Sequence, residues 1–239
     1  MSGEAALSRV RIVLVGTNHP GNIGAAARAI KTMGLSRLSL VSPRRFPDVE
    51  ADARASGATD VLAAAGVHGS LGEALAGTRL AIAVTARPRD LALPMLDAAQ
   101  AGELAATEAS LGEVALVFGN ETFGLSNDEI VLCHRYARID ANPEYSSLNL
   151  AAAVQVLAYE VRKAAIAAPP REYQPLDAGT HEDVEMLIAR LERALVAKGH
   201  LDPSDPKRLT ERLRTLFGRA RLSRTEVDLL HGVIGALEK

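Results

Sequence analysis

The chain of 239 residues has no tryptophan, four phenylalanines, four tyrosines and one cysteine, Cys133. A single cysteine excludes an intramolecular disulfide and any multi-cysteine metal centre, which fits a reducing compartment, so a cytoplasmic protein is expected. No apolar run approaches the roughly 18 residues of a membrane helix. Glu4, Arg9 and Arg11 stand in the opening segment without a secretory pattern, so neither membrane insertion nor export is expected. The histidines at 19, 68, 134, 181, 200 and 231 lack metal-ligand spacing, and no structural metal is expected. An excess of one charge is missing too. A formal net charge of −2 excludes a basic coat, so contact with nucleic acid has to come from local patches.

What the chain does have is 48% hydrophobic residues, much of it alanine, which implies a globular core with closely packed helices. Short β-branched runs at residues 10–15, 38–41, 80–84, 114–118 and 137–139 alternate with helical stretches. That alternation predicts an α/β fold, a parallel sheet covered on both faces. After the first run, Ile23, Ala26, Ala27 and Ile30 repeat with helical spacing, with Asn22 as a candidate cap and Gly34 as a stop. Leu150, Val154, Leu157 and Val161 mark the last helix of this unit, residues 150–166. Prolines then end it, because proline lacks an amide donor and disfavours helix in the residue before it. We therefore divide the chain into 1–166, a linker at 167–179 and an all-helical extension at 180–239. In the extension Thr180 with Asp183 and Ser223 with Glu226 have capping-box spacing. A basic helix is expected at about 206–217. Lys207, Arg208, Arg212, Arg214, Arg219, Arg221 and Arg224 face one acid, Glu211, and Arg44, Arg45, Arg87 and Arg89 make a second group. Such runs are commonly a solvated helix face.

Three polar turns follow apolar runs: residues 16–24, residues 118–124, and Asn142-Pro-Glu-Tyr-Ser-Ser-Leu-Asn149 ahead of the last helix. Polar turns at the carboxyl ends of parallel strands are where an open α/β sheet binds its ligand. The glycines at 16, 21 and 24 do not have phosphate-loop spacing, and no Gly-Lys-Ser/Thr follows. In Asn22-Ile-Gly-Ala-Ala-Ala-Arg28, Arg28 offers a charged fork suited to phosphate or to an oxygen gaining charge, although alone it reads equally as helix surface. Gly119 and Gly124 bracket Asn120 and Glu121, and Ser146, Ser147 and Asn149 taken alone could be helix caps.

Taken together and in this order, Asn22-x-Gly24-x3-Arg28, Leu116-Val-Phe-Gly-Asn-Glu-x2-Gly-Leu125 and Tyr145-Ser-Ser-Leu-Asn-Leu-Ala-x2-Val154 resemble the three motifs of the SPOUT methyltransferases. The resemblance covers residues 9–166 and is strongest to the bacterial branch that methylates the ribose of nucleotide 32 in the tRNA anticodon loop; the tail is similar to that branch's extension in less detail. It implies a trefoil knot at the carboxyl end of the sheet, a homodimer paired through helices beside the knot, S-adenosylmethionine as methyl donor and tRNA as partner. Alanine-rich helix faces at 25–29 and 151–153 would permit such pairing. Carried onto this chain, the donor site is Val84, Thr85, Ala86, Gly119, Ile139, Ser146, Ser147 and Leu148. Arg28 and Ser147 would stand beside the reacting ribose, and Asn22, Glu121 and Asn149 would shape the pocket. Asn120 departs from the arginine many relatives carry there. Arg212, Arg214 and Arg219 are the candidate RNA contacts of the tail. Methylation of rRNA or of another tRNA position, and RNA binding without catalysis, are the other readings.

Overall fold

The computed structural model describes residues 3–87, 93–167, 177–204 and 208–238. Arg89, Lys207 and linker residues 168–176 lie outside them. Strands β1 (Val10–Val15), β2 (Arg37–Val41), β3 (Gly66–His68), β4 (Thr78–Val84), β5 (Met95–Asp97), β6 (Glu113–Phe118) and β7 (Arg135–Arg138) form one sheet in the order β3-β2-β1-β6-β4-β7-β5. Every pairing is parallel. Hence all carboxyl ends share one edge of the sheet and all amino ends the other. Helices α1 (Gly3–Leu7), α2 (Pro20–Thr32), α3 (Val49–Ala55), α4 (Thr59–Ala63), α5 (Leu71–Leu75), α6 (Ala98–Ala109), α7 (Asn127–Ile130) and α8 (Leu150–Ala167) connect and cover it.

Alternation along the strands makes two cores. Ile12, Leu14, Leu40, Ile82 and Leu116 meet Ile23 and Ile30 of α2 and Val154, Leu157 and Val161 of α8 on one face. Val13, Val15, Ala81, Ala83 and Val117 meet Leu71 and Leu75 of α5 and Ile130 of α7 on the other. Burial on both faces explains why the central strands read as continuous apolar runs. Gly24 belongs to this packing, because a Cβ there would strike the backbone of Ala51 in α3.

Several expectations change. The edge strands β3 and β5, three residues each, were not anticipated, and β7 begins at Arg135, so Ile139 falls just beyond it. Asn22 is not the cap of α2: the helix starts at Pro20, whose fixed φ suits a first helical position, and His19 precedes it without a side-chain cap. The alanine faces are used within the chain, since Ala26, Ala27, Ala29 and Ala151 are buried in the core shared by α2, α3 and α8.

Helices α9 (His181–Ala197), α10 (Leu209–Ala220) and α11 (Arg224–Leu237) follow. The capping boxes at Thr180 and Asp183 and at Ser223 and Glu226 both form. The core of this unit is small, Leu187, Ala194, Val227 and Ile234 with a partly buried fringe, and it docks on the sheet through polar contacts at the amino edge. Glu108 of α6 accepts from Arg79 Nε of β4 and from Arg221 Nη1 at the end of α10, both at 2.7 Å. The Glu182 carboxylate accepts from the Gly77 amide just before β4 at 2.8 Å, and Arg135 Nη1 donates to the Gly218 carbonyl at 3.4 Å.

Candidate active site

At the opposite, carboxyl edge, the adjacent strands β1, β6, β4 and β7 deliver their following loops to one place. A cavity opens there, lined by Val84, Thr85, Ala86, Arg87, Phe118, Gly119, Asn120, Glu121, Thr122, Gly124, Ile139, Ser146, Ser147, Leu148, Leu150 and Ala153. All eight residues expected to hold a methyl donor are among them. The lining is the kind that small-molecule sites use, apolar faces with a few placed polar groups.

Hydrogen bonds join the three motif loops. Glu121 accepts from the backbone amides of Asn18 at 2.9 Å and His19 at 3.2 Å, and from Asn22 Nδ2 at 2.7 Å. Asn22 Oδ1 in turn accepts from Asn149 Nδ2 at 3.0 Å. Asn149 Oδ1 receives the Ala151 amide at 2.9 Å and so caps α8. One carboxylate and two amides thus tie the loop after β1 to the loop after β6 and to the start of α8, which is why Asn22 is not spent on its own helix end. Burial pushes the Glu121 carboxyl up, but the hydrogen bonds from Asn22, Asn18 and His19 outweigh it and hold the group below the usual carboxylate range.

The two residues expected beside the reacting ribose are placed differently from one another. Ser147 is exposed on the cavity wall, and its hydroxyl makes no hydrogen bond among the described residues. Arg28 is not near the start of its helix, because α2 begins eight residues earlier. It is exposed, outside the cavity lining of its own chain, and its guanidinium has no ion pair among the described residues. Asn120 orders its own loop: its Oδ1 accepts from the amides of Thr122 at 3.0 Å and Phe123 at 2.7 Å. Arg87 and Thr122 are both in the lining, although the sequence reading places Arg87 only in a basic group and Thr122 only at a variable position of its motif.

The tail's basic residues are partly neutralised. Arg214 is paired with Glu185, Arg208 with Glu211, Arg221 with Glu108 and Arg224 with Asp183. Of the three candidate RNA contacts, Arg212 and Arg219 are exposed without an ion pair among the described residues, whereas Arg214 is half-buried. The tail also meets the amino end of β4, while the cavity is at its carboxyl end, six residues or roughly 20 Å along the strand. Among the described residues no cluster of His, Cys, Asp and Glu could hold a metal ion, and no helix is long and apolar enough to cross a membrane.

Comparison with known proteins agrees with this geometry. The SpoU rRNA Methylase family matches residues 9–159, and the family described as tRNA methyltransferase TrmJ, C-terminal domain, matches residues 182–239. The tRNA (cytidine/uridine/adenosine-2′-O-)-methyltransferase TrmJ of Pseudomonas aeruginosa is 47% identical, covering 98% of this chain and 95% of that protein. The tRNA (cytidine/uridine-2′-O-)-methyltransferase TrmJ of Klebsiella pneumoniae is 46% identical, with 98% of each covered. The crystal structure of TrmJ from Z. mobilis superposes with a TM-score of 0.85 at 34% identity, covering 96% of this chain and 99% of that one.

Proposed function

The chain belongs to the SpoU rRNA Methylase family, and we propose that it methylates the ribose 2′-hydroxyl of tRNA at nucleotide 32 of the anticodon loop, with S-adenosylmethionine as donor. The observation that carries this is the likeness to tRNA 2′-O-methyltransferases over 98% of the chain, tail included, on a fold whose three motif loops are bonded around one cavity. We further propose a division into 1–166, 167–179 and 180–239, a trefoil knot through the loops that line the cavity, a cytoplasmic location and a homodimer. For the dimer the supporting surface is on α8, where Ala152, Tyr159 and Ile166 repeat every seven residues and are exposed.

The cavity suits the donor. Val84, Ile139 and Leu148 offer apolar faces for an adenine ring, and the turns at 85–86, 119 and 146–147 bring backbone donors and acceptors to its edge. When bound, S-adenosylmethionine supplies an electrophilic methyl group. The task left to the protein is to align a ribose oxygen with that methyl and to stabilise it as its proton leaves, for which positioning can supply several kcal/mol. Ser147, with its hydroxyl unengaged, orients the ribose hydroxyl. Arg28 acts as a clamp on the neighbouring phosphate and the developing alkoxide. A guanidinium is always charged and offers a fork of donors without a site to take a proton, which suits the clamp better than a general base. Arg28→Ala is expected to lower kcat/KM on tRNA about 10- to 100-fold, the worth of a charge-assisted contact, with donor affinity unchanged in calorimetry. Arg28→Lys should recover only part, since lysine has no fork; full recovery would argue against the clamp.

The test of the whole reading is methyl transfer from labelled S-adenosylmethionine to unmodified tRNA transcripts, repeated with a 2′-deoxy nucleotide at position 32. Transfer that disappears with the deoxy substitution is the expected result. Transfer unchanged by it would move the site elsewhere in tRNA, and transfer to rRNA alone would replace the substrate.

A further inference from the structure

Aromatic side chains are scarce in this protein, four Phe and four Tyr without Trp, yet two of the most exposed adjoin cavity-lining residues in sequence. Phe123 is 67% exposed and Tyr145 79%. Phe123 lies between the lining residues Thr122 and Gly124, and Tyr145 directly precedes the lining residue Ser146. Single apolar side chains on a surface are ordinary and need no explanation. These two, however, come from separate loops, one after β6 and one between β7 and α8, and each is flanked in sequence by residues that line the one cavity.

Their backbones are also held in place. The Phe123 amide donates to Asn120 Oδ1 at 2.7 Å, and the loop closes where the Gly124 amide donates to the Asn120 carbonyl at 3.0 Å. The Tyr145 amide donates to the Asn142 carbonyl at 2.9 Å, while Asn142 Oδ1 accepts from Glu144 at 3.0 Å. Asn-headed turns of this kind fix a chain locally. Large apolar side chains are thus presented to water on ordered supports, at a hydrophobic cost that a ligand can recover.

We propose that Phe123 and Tyr145 form a stacking clamp for the base of the nucleotide being methylated, so that its ribose is turned toward Ser147. This rests on the RNA-methylating reading above. Proteins that act on single-stranded loops splay bases out and stack them on aromatic rings. Stacking also tolerates any base, because each has a π-face. A clamp without an edge-reading partner therefore accommodates different bases, and the name of the Pseudomonas relative spans cytidine, uridine and adenosine.

The chain's lack of tryptophan gives a clean test. Phe123→Trp introduces a single tryptophan, whose emission is read by exciting it selectively over the tyrosines. Its emission should be quenched by an anticodon stem-loop and should regain most of its intensity when the target nucleotide is abasic with its ribose intact. Phe123→Ala and Tyr145→Ala should each raise KM for tRNA by roughly 10-fold, the order of one lost base stack, while Tyr145→Phe, which keeps the ring, should recover most of that loss. Donor affinity, melting temperature and particle size should not move. If the wild type methylates tRNA while the probe ignores the abasic site, or both alanine variants keep wild-type kinetics, the clamp is wrong and the function stands. A changed particle size in the alanine variants would make these aromatics interface residues instead, and a wild type inert on tRNA would remove both readings.

Discussion

Gly119→Ala is expected to weaken donor binding severely while leaving the sheet folded. Gly119 directly follows Phe118, the last residue of β6, and a Cβ at this position would overlap the carbonyl carbon of Gly124 and the amide of Leu125. The obstacle is backbone, so no rotamer change relieves it, and the loop between them has to open. That loop is closed by the Asn120 and Gly124 pairing, carries Glu121 and forms a wall of the cavity. Opening it displaces the carboxylate that Asn18, His19 and Asn22 share. The donor dissociation constant measured by calorimetry should rise about 100-fold or more, in line with the strictness with which a preorganised site must be held. Gly57→Ala is the matching control, because a Cβ there meets nothing within 4 Å. Near-normal binding by Gly119→Ala would mean that the loop yields freely and does not shape the site.

The sequence was most legible where a residue's role is set by its neighbours along the chain. The central strands were readable because burial on both faces leaves apolar runs, as in residues 12–15 and 80–84. The caps at Thr180 and Ser223 were readable because a capping box is a contact over three residues. β3 and β5 were not, since three residues carry no period and their pairing depends on β2 and β7. The same divide runs through the site. Asn22, Glu121 and Asn149 were picked out as one pocket, yet the assignment of Asn22 to its own helix end failed. Its amide bonds to residues 99 and 127 positions away, and long-range partners leave no local trace. Likewise a run of arginines does not reveal which ones are neutralised by Glu185 or Glu108 from distant helices.

The arrangement also separates two tasks in space. The cavity proposed for the donor lies at the carboxyl edge of the sheet, and the exposed Arg212 and Arg219 belong to a unit docked at the amino edge. A substrate touching both within one subunit has to span a distance on the order of the strand length, roughly 20 Å. A structured RNA does so and a small acceptor does not, which fits a tRNA substrate. How the tail is fixed to the sheet then matters for activity as well as for stability.

Glu108→Ala should loosen that attachment and lower the melting temperature by roughly 10 °C. Glu108 is 4% exposed and is the shared partner of Arg79 and Arg221, themselves largely buried. Removing it leaves two guanidinium groups facing each other without a counter-charge, and breaking a buried pair in this way costs about 3–5 kcal/mol. A domain of this size loses about 2–4 °C per kcal/mol. Glu108→Gln, which keeps the shape and an acceptor, should fall between. Acid should act on the same seam. Burial alone would raise the Glu108 carboxyl, but Arg221 and Arg79 together hold it below its usual range, so its contribution is present at neutral pH and disappears as pH falls through that lowered value. His134 acts earlier. It is buried beside Arg221, His181 and Arg135, its Nδ1 accepts the Ala81 amide at 2.9 Å, and burial first, then those charges, push it down to about 3. Between the ordinary histidine value of 6.5 and about 3, the unfolded chain takes up a proton that the folded one refuses, so stability declines steadily as the solution is acidified through that window. Melting curves from pH 7.5 to 5 should therefore fall for the wild type, and His134→Asn, which keeps an acceptor and does not titrate, should flatten them. An undiminished slope in that variant would place the acid-sensitive group elsewhere, and a melting point untouched by Glu108→Ala would mean that the tail is held by its apolar contacts alone.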